Sequence, residues 1–254
     1  MKSKDYAGQT VLITGGTKGV GEGITKSFLE NGASVVICGR VAPKTPIAIE
    51  GNEALYFQAD VRNLQDLQNL VQFTKKETGR LDVLVNNAGG SPEVEAATVS
   101  PRFSEAILQL NLVAPLNLSQ LSNQIMQDQS QGGCIINISS VSGVRPSPGT
   151  AAYGAAKAGL LNLTQSLAIE WSPKVRLNSI IAGPILTDQS QLHFGDENSV
   201  ARVAKTIPME RLALPSDIGS ACLFLASPQA SYITGSSLTI HGGGEKPAFL
   251  QVRE

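Results

Sequence analysis

Charge is scarce in this chain. Only 16% of its 254 residues are charged, the formal net charge is −1, and no basic run exceeds Lys75-Lys76. Nucleic acids are held by clustered cations, so no nucleic-acid partner is expected. Long apolar runs are missing as well. None approaches the ~18 residues of a membrane span, and no membrane partner is expected. The polar start, MKSKDYAGQT, leads straight into VLITGG and leaves no room for a signal peptide. There are three cysteines, Cys38, Cys134 and Cys222, far apart and each in an apolar segment. An odd, scattered set is not a disulfide framework. Buried thiols in a reducing, cytoplasmic setting are expected instead. No metal ligands are assigned.

What is present is ample apolar material. Hydrophobic residues make up 42% of the chain, enough for one large domain with a sizeable core. Short apolar runs alternate with helical patterns. The expected strands are Thr10–Thr14, Ser34–Cys38, Ala54–Ala59, Val83–Asn86, Cys134–Ile138, Arg176–Ile181 and Ser237–Ile240. The expected helices are Val20–Asn31, Leu64–Thr78, Phe103–Gln127, Ala152–Trp171 and Pro215–Ala226. Such alternation predicts an α/β fold, a Rossmann-like doubly wound parallel sheet of about seven strands with helices on both faces. No repeat or linker divides it, so residues 1–254 read as a single dinucleotide-binding domain. The crossover VAPKTPIAIEGNE, with Pro43 and Pro46, opposes a full helix and reads as mostly irregular.

The first strand runs into a glycine-rich turn, VLITGGTKGVGEG, with Gly15, Gly19 and Gly21 spaced T-G-x-x-x-G-x-G. Glycines there let backbone N–H groups and a helix N-terminus approach a pyrophosphate. A dinucleotide fold usually ends its second strand with an acid for the ribose diol. Here Gly39 and Arg40 stand in that place, and Lys18 lies in the glycine turn. Two cations and no carboxylate suit a 2′-phosphate, so NADP(H) is expected over NAD(H). The alternative, that Arg40 merely stacks on the adenine, would serve either cofactor.

The segment AAYGAAKAGLLNLTQ places Tyr153 and Lys157 four residues apart, on one helical face, with only Gly154, Ala155 and Ala156 between them. A neighbouring ammonium lowers a phenol's pKa and suits it to proton transfer. The small residues between would let the helix lie close against a ligand. Asn111 sits in a helical pattern four residues before Pro115, which has no N–H to give its carbonyl.

With TGGTKGVG at 14–21, DV at 60–61, NNAG at 86–89, Asn111, NISS at 137–140, YGAAK at 153–157 and NSIIAGPILT at 178–187, the chain resembles the short-chain dehydrogenase/reductase family, in its short single-domain branch. The resemblance covers almost the whole chain and implies a catalytic set. Tyr153 would give or take the proton, Lys157 would tune it and bind the nicotinamide ribose, and Ser140 would orient the carbonyl, with its neighbour Ser139 as second choice. The carbonyl of Asn111 would hold a relay water. It also implies cofactor contacts. These are Gly15, Thr17, Lys18, Gly19, Val20, Gly21 and Arg40, then Asp60 and Val61 about the adenine, then Asn86, Asn87, Ala88 and Gly89. Pro184, Ile185 and Thr187 would lie by the carboxamide. A homotetramer, through the two helical stretches that lack charge between Ala106 and Gln127 and between Ala158 and Ile169, is also implied.

Departures from the family pattern are few. Ala182 replaces a proline and is expected to loosen its turn. His241 replaces an Asp and is expected to be structural. Residues 117–134 hold no cation, which counts against a carrier-protein thioester. The substrate side, with Val94, Val141, Val144, Leu192, Phe194 and Met209, reads as mainly apolar. Arg145 reads either as an anion anchor or as a solvent-facing side chain, and His193 as a rim residue. A lid is expected over 188–209. The implied activity is carbonyl/secondary-alcohol interconversion with a nicotinamide cofactor. The alternatives are an NAD-dependent alcohol dehydrogenase, and a dinucleotide-sensing regulator on the same fold. An extended-branch epimerase or dehydratase would need a further domain and T-G-x-x-G-x-x-G spacing.

Overall fold

A computed structural model describes residues 5–188, 190 and 194–247. Seven strands form one parallel sheet: β1 (Thr10–Thr14), β2 (Ser34–Gly39), β5 (Leu55–Gln58), β6 (Val83–Asn86), β7 (Gly133–Ser140), β8 (Val175–Ala182) and β9 (Ser237–Ile240). Their order is β5-β2-β1-β6-β7-β8-β9. The order reverses between β1 and β6, which opens the crevice where doubly wound folds take their ligands.

The central strands are apolar on both faces, as a sheet covered on both sides requires. Val11 and Ile13 point into one core, together with Ile24 and Phe28 of α1 (Gly19–Glu30) and Ile218 of the late helix Pro215–Ala226. Leu12 and Leu84 point into the other, with Leu67 and Leu70 of α2 (Leu64–Thr78). The local signals are explicit. Asn63 caps α2 by accepting from the N–H groups of Gln65 (2.8 Å) and Asp66 (3.3 Å), and Gly79 ends it at φ 77°. All three cysteines are buried, as expected.

One expectation needs correction, and two segments show added detail. The crossover after Arg40 is mostly irregular, as expected, but holds one short hairpin. Ala48–Ile49 (β3) pairs antiparallel with Asn52–Glu53 (β4). The two residues between, Glu50 (φ 51°) and Gly51 (φ 83°), are both left-handed, the turn that suits a two-residue hairpin.

The expected helix Phe103–Gln127 is three pieces: α3 (Pro101–Leu108), a π-turn (Gln109–Val113) and α4 (Ala114–Asp128). Pro115 cannot donate to the carbonyl of Asn111, and the ladder widens there, with Ala114 N–H reaching back to the Gln109 carbonyl. Within 188–209, the described part contains a helix, α6 (Glu197–Thr206), capped by the Asp196 side chain on the Ser199 N–H at 2.8 Å. The late helix Pro215–Ala226 is then α7. The remaining long helix is α5 (Ala151–Trp171).

Candidate active site

Four expected residues meet where β7 and α5 face the π-turn. Ser140 ends β7, and its Oγ accepts from the Ser142 N–H (3.1 Å), which fixes the turn that follows. Ser140 lies near enough to the Tyr153 phenol to oppose the rise in its pKa. Ser139, the second choice, instead gives its hydroxyl to the Lys157 carbonyl (3.1 Å) and is buried. It braces α5 and does not face the phenol.

Lys157 is only 3% exposed. Its Nζ donates to the Ile138 carbonyl (2.8 Å) and lies 5.5 Å from the centre of the Tyr153 ring. Burial disfavours the ammonium and pulls the Lys157 pKa down to about 8. The expected low phenol pKa is not what this arrangement produces. Burial pushes Tyr153 above its ordinary value, and Ser140 only partly opposes this. The phenol therefore holds its proton at neutral pH.

The glycine between Tyr153 and Lys157 has a packing role. A Cβ on Gly154 would stand 2.9 Å from the Ser142 carbonyl oxygen and 3.1 Å from Cβ of Ser147. Ala156 is fully buried and Ala155 exposed. Smallness at Gly154 seats α5 against the loop after Ser140.

Asn111 lies fully buried in the π-turn. Its side chain clasps Gly90 on both sides, with Oδ1 accepting from the Gly90 N–H (2.8 Å) and Nδ2 donating to the Gly90 carbonyl (3.0 Å). Nδ2 also donates to Ile107 (2.9 Å). A Cβ on Gly89 would come within 2.6 Å of Asn111 Oδ1 and 3.2 Å of Lys157 Nζ, so Gly89, Asn111 and Lys157 share one small space.

The turn after β1 carries the second group. Gly15 (φ 64°) and Gly19 (φ 55°) are left-handed, and Gly21 has no room for a side chain, since a Cβ there would meet the Gly15 carbonyl oxygen at 2.1 Å. Lys18 stands at the N-cap of α1 without a side-chain cap, with Thr17 before it and Val20 in the first turn. The turn is fixed from β6. Asn87 Nδ2 donates to the Thr14 carbonyl (2.8 Å), and Thr14 Oγ1 accepts from the N–H groups of Asn87 and Ala88 (3.0 Å each). Thr14 opens the TGG motif and was not among the expected site residues.

Asn86 is reassigned. It is buried, and its Nδ2 donates to Ser119 Oγ (3.0 Å) and Asn137 Oδ1 (2.8 Å), inside a polar network behind the sheet.

Across the crevice, Thr187 approaches Gly19. A Cβ on Gly19 would lie 3.7 Å from the Thr187 methyl. Pro184, Ile185 and Leu186 run alongside Ala213, with Ala213 N–H to the Pro184 carbonyl at 3.0 Å and Leu186 N–H to the Ala213 carbonyl at 2.8 Å. Ala182 does not loosen this turn. It stays in β8 in register with Ile240, and the Gly183 N–H donates to the Ile240 carbonyl (2.9 Å). His241 packs on Gly183, where a Cβ would meet its own Cβ at 2.7 Å.

At the ends of β2 and β5, Arg40 is exposed. Asp60 is gripped by Arg62, and Val61 is buried. Arg145 pairs with Glu245 (2.5 Å) at the surface. Val144 and Met209 are largely exposed at the mouth. Leu192 and His193 lie outside the described residues.

The donor set suits a nicotinamide dinucleotide. An uncapped helix N-terminus beside bare glycine backbone takes a pyrophosphate, and the buried Lys157 ammonium lies against Gly89.

The comparisons agree. Residues 15–245 match the family model described as "Enoyl-(Acyl carrier protein) reductase". The chain is 34% identical to the "Probable 2,4-dienoyl-CoA reductase" of Bacillus subtilis, over 92% of this chain and 96% of that protein. It is also 34% identical to a 3alpha-hydroxysteroid dehydrogenase of Mediterraneibacter gnavus, with the same coverage of 92% and 96%. A doubly substituted short-chain dehydrogenase/reductase of Serratia marcescens superposes with a TM-score of 0.85 at 27% identity, over 94% of this chain and 98% of that one. The chain belongs to the short-chain dehydrogenase/reductase family, oxidoreductases that act on CH–OH and carbonyl groups.

Proposed function

We propose that this protein interconverts a ketone and a secondary alcohol on a mainly apolar small molecule, with NADP(H). The observation that carries the reading is the corner in which Lys157, buried and bonded to the Ile138 carbonyl, lies beside the Tyr153 ring, with Ser140 next to the same phenol. The bound cofactor supplies the hydride chemistry. The protein's part is position and the proton.

Gly15, Thr17, Lys18, Gly19, Val20 and Gly21 would hold the pyrophosphate. Arg40 and Lys18 would hold a 2′-phosphate. Asp60 and Val61 would flank the adenine, and Asn87, Ala88, Gly89, Pro184, Ile185 and Thr187 would line the rest. Ser140 orients the carbonyl oxygen toward Tyr153. The phenol, protonated at neutral pH, donates its proton in reduction and recovers it in oxidation. Lys157 stabilises the phenolate that this leaves. Asn111 fixes Gly90 through its side chain and offers its carbonyl to a relay water. α6 and the described residues around it would serve as a lid over the mouth.

Assembly follows from the exposed faces of α4 and α5. On α5 the exposed side chains are Ala151, Ala155, Ala158, Asn162, Gln165, Ser166 and an 83%-exposed Ile169, followed by Glu170. A helix that ends its burial at one subunit should carry more charge. A homotetramer through these helices covers them, and a monomer mass by light scattering at micromolar concentration overturns it. A cytoplasmic location accords with the three buried free thiols.

The test of function is a panel of ketones and alcohols followed at the nicotinamide absorbance with each cofactor. Turnover of at least one apolar carbonyl with NADPH is expected. Tight NADPH binding with no turnover across the panel would favour a dinucleotide sensor.

A further inference from the structure

Ser190 belongs to none of the groups assigned above, yet it is only 3% exposed and is bonded to one short segment, residues 185–187. Its Oγ accepts from the Thr187 N–H (2.7 Å) and donates to the Ile185 carbonyl (3.2 Å). Its own N–H donates to the Thr187 carbonyl (2.9 Å). A hydroxyl can accept and donate at once, which no apolar side chain of that size can do.

The other edge of this segment is held by backbone. The Leu186 N–H donates to the Ala213 carbonyl (2.8 Å), and the Ala213 N–H donates to the Pro184 carbonyl (3.0 Å). Pro184 and Leu186 thus bond on the Ala213 side, and Ile185 and Thr187 on the Ser190 side, the alternation of an extended chain. Without the hydroxyl, the Ile185 carbonyl and the Thr187 N–H lose this partner, and the segment gains by moving to find another. The segment ends at Thr187, whose methyl would lie 3.7 Å from a Cβ on Gly19. The Ser190 staple therefore sets how the segment stands across the crevice from the glycine turn.

We propose that Ser190 is a positioning residue for the nicotinamide end of the cofactor: its hydroxyl staples Ile185 to Thr187 and holds both where they meet the carboxamide. The inference rests on the reading that Ile185 and Thr187 lie by the carboxamide. Ser190 acts through these two residues and does not contact the cofactor itself. Its reach is local. In the sheet, β8 stands four strands from β2, roughly 19 Å at ~4.8 Å per strand. Loss of the hydroxyl should therefore spare the adenosine end.

The experiment is calorimetric titration of the purified full chain, as wild type and Ser190→Ala, with two pairs of ligands. NADPH is compared with 2′-phospho-ADP-ribose, and NADH with ADP-ribose, so that each pair differs only in the nicotinamide. Ser190→Ala is expected to weaken NADPH and NADH by about five- to tenfold, the worth of one hydrogen-bonding group. Both nicotinamide-free ligands are expected to bind within about twofold of wild type, which also shows that the variant is folded. Equal losses for a dinucleotide and its nicotinamide-free partner overturn the proposal, since Ser190 would then hold the fold as a whole. Unchanged dinucleotide affinity also overturns it, while the assignment of Ile185 and Thr187 stands. Wild type that binds neither dinucleotide more tightly than its nicotinamide-free partner defeats that assignment as well.

Discussion

At the corner of β7, α5 and the π-turn, Asn111 and Lys157 are out of water, and Ser140 and Tyr153 are half-buried. Asn111 is 0% exposed, Lys157 is 3% exposed, and each has protein partners within 3.0 Å. At the far end, after β2 and β5, Arg40 is exposed and Val41 keeps 77% of its surface. The same kinds of group, a cation beside an acidic or phenolic oxygen, occur at both ends. In the corner, burial dominates, and it moves Tyr153 and Lys157 in opposite directions away from ionisation. At the open end, pairing dominates, and Asp60 moves toward ionisation. A buried charge acts strongly and is insulated from salt, whereas an exposed one acts weakly and is screened. Turnover should therefore belong to the corner, and choice of cofactor to the open end.

The greatest loss should come from the corner. Tyr153→Phe removes the proton donor and keeps the ring. Turnover should fall ~10²–10⁴-fold, while NADPH affinity measured by titration stays near wild type. Turnover within a few-fold of wild type would assign the proton to another group.

Lys157→Met separates stability from activity at the same corner. The folded Lys157 pKa is about 8, against an ordinary value of 10.5. Between those values the unfolded chain binds the extra proton, so wild-type stability rises with pH across that window. Below pH 8 the burial penalty is complete, roughly 3 kcal/mol. Losing the bond to Ile138 offsets about 1 kcal/mol. The variant should be inactive yet about 2 kcal/mol more stable at pH 7 by urea unfolding, and that advantage should vanish as the pH nears 10.5. A variant less stable at pH 7 would mean that the ammonium is better solvated than its burial indicates.

Smaller effects belong to the open end. Arg40→Gln should weaken NADPH about tenfold at low salt, the worth of one charge-assisted contact, and leave NADH nearly unchanged. Equal losses for both cofactors would mean that Arg40 stacks on the adenine. Gly39→Asp together with Arg40→Gln should reverse the preference.

The sheet was legible because its strands are apolar runs with clear ends; Thr10–Thr14, Val83–Asn86 and Ser237–Ile240 stand where the pattern put them. The helical break at Asn111 was half legible. Pro115 announced a lost hydrogen bond but not the π-turn that absorbs it. The β3–β4 hairpin has strands of two residues each, too short to show an alternation, and only Gly51 marked it.

The site residues could be named from their motifs, but their partners could not. NNAG looks uniform in sequence, yet Asn86 turns into the core and Asn87 toward the glycine turn. Alternation along a strand decides that, and it takes the sheet's register to see which side is which. The sign of the Tyr153 shift was misjudged because spacing reveals the neighbouring ammonium and not the depth of burial. Arg62 follows DV directly and was passed over, since only the fold shows a side chain turning back onto Asp60.

The division of labour between the two ends can be tested in one experiment on wild-type protein. The NADPH dissociation constant and the turnover rate at saturating NADPH and substrate are measured together from low to high salt. The affinity should weaken steadily as the Arg40 end is screened, while saturated turnover holds within about twofold, because the Lys157 corner excludes ions. Turnover that falls in step with affinity, or an affinity indifferent to salt, would contradict the account.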